Sequence, residues 1–204
     1  MITSGAMDLK FPRFAPVAAL VALTGGGVQI AAQRPATSGP PIPYEDIGAC
    51  PFEGCTYRDW IANGPVTLRT DRRSDSPIAF TLAKGDHVQA ITGIVITTKP
   101  GRVTFRTAGA MSSSGGMLRV RPGDTLYLLT YHGEGEFTAW FKGRLYDFVD
   151  GSEFSDGRCG RGRVCNGTVV EKPQSVWWIR IRSTRGLTGW TREAEKFDNK
   201  DRFG

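Results

Sequence analysis

Histidine is scarce in this chain, two residues in 204, and cysteine nearly so, with four. A nucleophilic hydrolase needs a general base oriented by a third group. Neither His87 nor His132 comes with a Gly-x-Ser-x-Gly turn, a His-Glu-x-x-His helix or a cysteine in a nucleophilic setting. A Walker-type phosphate loop is also missing, since no glycine cluster lies between a strand and a helix. Cys50 and Cys55 are separated by four residues, and Cys159 and Cys165 by five, so neither pair has the two-residue knuckle of a zinc site. No metal and no cofactor is therefore expected. Beyond the first thirty residues there is no long apolar stripe of helical period, which excludes a helical bundle. At 40% apolar and 23% charged residues, the composition is not that of a disordered chain.

Glycine is abundant, with 26 residues, and 12 prolines accompany it. Together they imply many tight turns and short strands, hence an all-β fold. The net charge of +6 suits an anionic polymer or surface. Arg158, Arg161, Arg163, Lys172, Arg180, Arg182 and Arg185 make the later part of the chain the most basic, but Glu193, Glu195, Asp198 and Asp201 follow directly. This is no basic tail, and nucleic acid is not the expected partner.

Residues 1–32 read as a secretory signal peptide: Lys10 and Arg13 precede an apolar run from Phe14 to Ile30, and Ala31-Ala32 offers a cleavage site. Met7 is an alternative start, and an uncleaved anchor is the competing reading. Residues 33–47 read as a linker because Gln33 to Pro43 is rich in proline, serine and glycine, with the fold beginning near Tyr44. Export favours oxidised cysteines. Three connectivities are open. Pairing within each loop, Cys50 with Cys55 and Cys159 with Cys165, is the expectation, and a bridge between loops is the alternative.

The densest β signal is Ser175 to Trp190. Trp177, Ile179 and Ile181 alternate with Trp178, Arg180 and Arg182, Ser183 to Gly186 forms the turn, and Leu187 to Trp190 returns, with Gly189 at a bend. From Gly64, Val66 and Leu68 alternate with polar residues, Asp71 to Pro77 is a loop, and Ile78, Phe80 and Leu82 lead into Ala83-Lys84-Gly85-Asp86. This order, an alternating strand, a polar loop, a short apolar stretch and a Lys-Gly-Asp turn, resembles the opening half of a bacterial SH3-like domain. Trp178 to Trp190 resembles its closing half. The resemblance implies small SH3-like barrels; the disulfide-stapled loops, read from the cysteine spacing, and the roughly eighty residues between the two halves depart from that family's pattern. Leu82 to Thr92 and Val120 to Thr130 share Gly-Asp at the same place, at an offset of 38 residues, and Phe137 to Tyr146 echoes Trp178 to Gly189. Duplication is the reading. It divides residues 48–204 into an opener (64–106), an inserted second unit (107–170) and a closing hairpin (175–191), the two units being nested or tandem.

The resemblance implies a non-catalytic binding module, secreted or periplasmic, that recognises a cell-wall peptide or glycan, or another envelope partner, and has no integral span once its signal is removed. Exposed aromatics and arginines would carry the binding: Trp178, Arg180, Arg182, Tyr131, Trp140 and Trp190, with Trp178 foremost because it shares its strand face with the arginines. Two alternatives stand beside it. A small secreted wall hydrolase would gather His132, Glu134, Glu136 and a basic residue in one cleft. A purely structural envelope protein would bury all its tryptophans. Asp86 and Asp124, the other carboxylates available to a glycosidase, follow glycine in turns, where such side chains bond the local backbone.

Overall fold

The short alternating segments form strands throughout the computed structural model, which describes residues 39–155 and 165–203. The first group is β1 (Tyr44–Ile47), β2 (Asp59–Ala62), β3 (Val66–Arg69), β4 (Ile78–Leu82) and β5 (His87–Lys99). Next come β6 (Gly101–Phe105), β7 (Gly109–Met111), β8 (Leu118–Val120), β9 (Thr125–Gly133), β10 (Glu136–Phe141), β11 (Arg144–Asp150), β12 (Phe154–Ser155) and β13 (Gly167–Glu171). The last are β14 (Gln174–Ser183), β15 (Thr188–Thr191) and β16 (Phe197–Asp198). The fold is all-β. Only two single 3-10 turns, Gly151–Glu153 and Ala194–Lys196, interrupt it among the described residues.

Two curled half-barrel sheets organise these strands. The first runs β16-β2-β5-β14-β15-β3-β4, with β1 also on β5; the second runs β11-β10-β9-β6-β13-β12, and β7 and β8 pair separately. Every strand of the second sheet lies in the chain between β5 and β14. Each sheet closes over its own core. In the first, Trp60, Leu68, Ile179, Ile181 and Phe197 are fully buried, and in the second, Val103, Leu126, Leu128 and Ala139. Proline ends the long β5: Pro100 has no N–H to continue the ladder, and the chain passes at Gly101 into the second sheet.

Two sequence boundaries move. Residues 44–47, included in the linker by sequence, form β1, antiparallel to β5 from Tyr44 opposite Thr97 to Ile47 opposite Ile94. Tyr-Glu-Asp-Ile has too little apolar alternation to announce a strand, and the edge of β5 supplies its hydrogen bonds. Residues 101–105, grouped with the opener by sequence, form β6, which pairs with β9 and β13 in the second sheet. The signal segment 1–32 lies outside the described residues.

Corresponding turns precede the longest strand of each sheet. Asp86 accepts a hydrogen bond from the Ala83 amide at 2.8 Å, and Asp124 from the Arg121 amide at 2.8 Å. The preceding Gly85 and Gly123 have φ of 91° and 86°. These turn carboxylates bond their own backbone. The strand that follows each turn then pairs with a hairpin, β5 with β14-β15 and β9 with β10-β11.

Cys50 and Cys55 form a disulfide. Cys165 is also disulfide-bonded, whereas Cys159, its expected loop partner, lies outside the described residues. No helix among the described residues is long and apolar enough to cross a membrane.

Candidate functional site

The closing hairpin β14-β15 places its two faces as its alternation requires. Ile179 and Ile181 fill the first core. Trp177, on the same side, joins an aromatic cluster with Trp60, 6.2 Å between ring centroids, and Tyr57, 6.4 Å, and donates its indole N–H to the Tyr57 hydroxyl at 3.2 Å. The opposite face carries Trp178, Arg180 and Arg182 on β14 and Trp190 on β15. Register sets Arg180 opposite Trp190, and Trp190 opposite Arg69 of β3. Cation and aromatic side chains thus alternate across three neighbouring strands.

The arginines lie within cation–π range of the tryptophan rings. Arg180 and Arg72 stand 5.9 and 5.8 Å from the Trp190 ring centroid, and Arg192 stands 5.2 Å from that of Trp178. A cavity of about 170 Å³ opens between Trp178, Trp190, Arg69 and Arg192. Arg72 is partly neutralised by Glu45 at 2.8 Å, and Arg69 donates to the Ser76 carbonyl at 2.6 Å.

The six residues singled out by sequence therefore separate. Trp178, Trp190 and Arg180 come together. Arg182 continues the same face but turns to Gln89, its guanidinium 3.4 Å from the amide oxygen. Tyr131 and Trp140 lie on β9 and β10 of the other sheet. Tyr131 packs on Phe137 at 5.1 Å, and the buried Trp140 indole nitrogen has no hydrogen-bond partner among the described residues. The expectation that Trp178 is the foremost exposed aromatic is corrected: only 5% of it is accessible, and Arg192 lies over its ring. Alternation told which side it faces but not what lies over it. Half-buried Trp190 is the more accessible ring of the pair. Sequence reasoning missed Arg69, Arg72 and Arg192. The first two belong to the strand and loop Arg69-Thr70-Asp71-Arg72-Arg73, whose density of arginine was the available signal.

A second concavity lies where β1 meets β9, β10 and β11. His132 of β9 points its Nε2 at the Thr138 hydroxyl, 2.7 Å away, and at Asp46 of β1, 3.6 Å away. The same hydroxyl lies 3.4 Å from Asp46 and 3.3 Å from Asp147 of β11. Tyr44 shares this cavity. Burial, reinforced by the charges of Asp46 and Asp147, pushes its phenol up to about 12. Across the His132–Phe148 ring contact, 4.8 Å between centroids, an adjoining cleft is lined by Glu53, Glu134, Glu136 and Arg202. His132, Glu134, Glu136 and a basic residue thus do line one cleft. No group of His, Cys, Asp and Glu side chains among the described residues is arranged to hold a metal ion.

Comparison with family models, curated proteins and solved structures yields no match. The functional reading rests on the geometry of the chain itself.

Proposed function

We propose that this protein is an extracytoplasmic, non-catalytic binding module, similar to bacterial SH3-like domains, that holds a carboxylate-bearing cell-wall polymer or peptide against the arginine–tryptophan face of its first sheet. The observation that carries this reading is that Arg72 and Arg180 lie 5.8 and 5.9 Å from the Trp190 ring centroid and Arg192 lies 5.2 Å from that of Trp178. Guanidinium groups donate charge-assisted hydrogen bonds to carboxylates, and the half-buried Trp190 ring beside Arg180 offers flat apolar area to sugar or peptide. A disulfide that closes a surface loop agrees with action in an oxidising compartment.

Sedimentation with purified peptidoglycan tests the proposal. The chain should co-sediment, less so as salt rises, and Arg180→Ala with Trp190→Ala should weaken binding roughly tenfold or more, about one charge-assisted hydrogen bond. Absence of binding, or binding indifferent to both substitutions, overturns it.

One observation favours a wall hydrolase as the second reading: His132, Glu134, Glu136 and Arg202 line one cleft. It predicts solubilisation of peptidoglycan by the purified chain, abolished by Glu136→Gln. A chain that binds the polymer and never cleaves it eliminates this reading.

A further inference from the structure

We propose that the cavity between Trp178, Trp190, Arg69 and Arg192 takes a single carboxylate on a short aliphatic stem, the terminal or side-chain carboxyl group of a peptide, end on. This rests on the binding role proposed for the arginine–tryptophan face and narrows it: the group that anchors the ligand is a peptide acid and not the sugar of a glycan.

Size is the first argument. The cavity holds about 170 Å³, whereas sites that enclose a whole small ligand run to roughly 300–1,000 Å³. At roughly 30 Å³ for each water-sized group, it has room for about five or six of them, a carboxylate with two or three carbons behind it. An acetylated sugar ring is too large for it.

The second argument is a surplus of donors. Of the five N–H groups on the Arg69 guanidinium, one goes to the Ser76 carbonyl. Arg192 makes no hydrogen bond and no ion pair among the described residues and lies over the Trp178 ring instead. Thr67 and Ser74 also line the cavity, and neither hydroxyl is engaged in a hydrogen bond among the described residues. Glu193 is the one carboxylate in the lining, and both its oxygens are taken: Oε1 by the Lys196 ammonium at 3.1 Å and Oε2 by the Thr67 amide at 3.1 Å. Asp75, close enough to Arg69 to feel its charge, is held by Arg73 through both oxygens, at 3.0 and 3.2 Å. Two guanidinium groups are thus left facing a cavity whose acceptors are already spent, the arrangement that a planar carboxylate completes.

The third argument is that the site is built in advance. The Glu193 bond to the Thr67 amide ties the segment after β15 to β3, so Arg192 and Arg69 are held on the same cavity before a ligand arrives. Trp178, 5% accessible, and half-buried Trp190 give it apolar walls. A carboxylate with a carbon stem has something to lay on those rings; a bare phosphate has not.

Magnetic resonance of the isotope-labelled full chain tests the site. The probes are Nα-acetyl-alanyl-alanine and Nα-acetyl-glutamate methylamide, each beside its own carboxamide, and inorganic phosphate. Of the five indole N–H signals, those of Trp178 and Trp190 should shift saturably with at least one acid, and the tighter acid names the carboxyl group taken, terminal or side-chain. The matching carboxamide should bind roughly tenfold more weakly or worse, as should the acid to Arg192→Gln, each change removing charge-assisted hydrogen bonds. The comparison of acid with carboxamide needs no variant and so does not depend on how Arg192→Gln folds. Failure of both acids to bind, equal binding of acid and carboxamide, phosphate bound as tightly as the acids, or undiminished binding by a folded Arg192→Gln protein overturns the proposal. Peptidoglycan sedimentation is scored on the same preparation. A chain that sediments with the polymer and ignores the acids loses this inference alone, whereas one that binds the acids and never sediments keeps the carboxylate site and loses the cell-wall reading.

Discussion

Tyr44 and Tyr57 show how single side chains report on the ground between the sheets. The Tyr57 hydroxyl donates to the Ala49 carbonyl and accepts from the Trp177 indole. Burial pushes its phenol up to about 12, with the Trp177 bond acting against the shift and the Asp46 charge adding to it. Tyr44 is raised to the same level by burial, then Asp46, then Asp147. Both shifts favour the neutral phenol in the folded state. The stability they contribute is complete below the ordinary tyrosine value of 10.0 and is lost as pH climbs through about 12. Absorbance titration at alkaline pH should therefore show two of the five tyrosines ionising late, and stability should fall across that interval. Asp147→Asn should bring the Tyr44 step earlier and leave Tyr57 in place. A titration in which all five tyrosines ionise together near the ordinary value would show that neither phenol is held as described.

At the scale of elements, the hairpin β14-β15 was legible because period-two alternation is a local property of the strand. Ile179 and Ile181 against Arg180 and Arg182 needed no other information. Gly189 was legible as a bend, though not for its full reason: a Cβ there would sit 2.8 Å from that of Leu68 and 3.2 Å from the Arg69 carbonyl, so glycine is what lets β15 approach β3. Gly189→Ala should cost about 1–3 kcal/mol by overpacking, measured by urea denaturation; a cost near zero would mean that β3 yields easily. Other elements were not legible. Strand β1 is polar and four residues long, and it exists because the edge of β5 is open to it. The second concavity takes Asp46 from β1, His132 from β9, Thr138 from β10 and Asp147 from β11, and no spacing in the chain announces such a set. His132, Glu134 and Glu136 were visible as a group only because they are close in sequence.

For the molecule as a whole, the two sheets keep separate cores, and charge is divided between two faces. Ile181 and Leu126 are both fully buried, one in each core. Ile181→Ala and Leu126→Ala should each cost about 2–5 kcal/mol, and because they share no partners their effects should add to within about 0.5 kcal/mol in the double variant. Denaturation of the two single variants and the double variant checks this, and a larger coupling would show the cores to be one mechanical body. The sequence alone determined the all-β class, the turns at Gly85-Asp86 and Gly123-Asp124, the cysteine loop at 50–55 and the inward face of the hairpin. All of these depend on residues close together in the chain. Only the tertiary structure decided that Arg192 lies over Trp178, that Arg69 and Arg72 join Trp190, and that two aspartates share one threonine hydroxyl. Exposure and charge pairing are set by residues distant in sequence, brought together when β3 closes on β15 and β1 on β5.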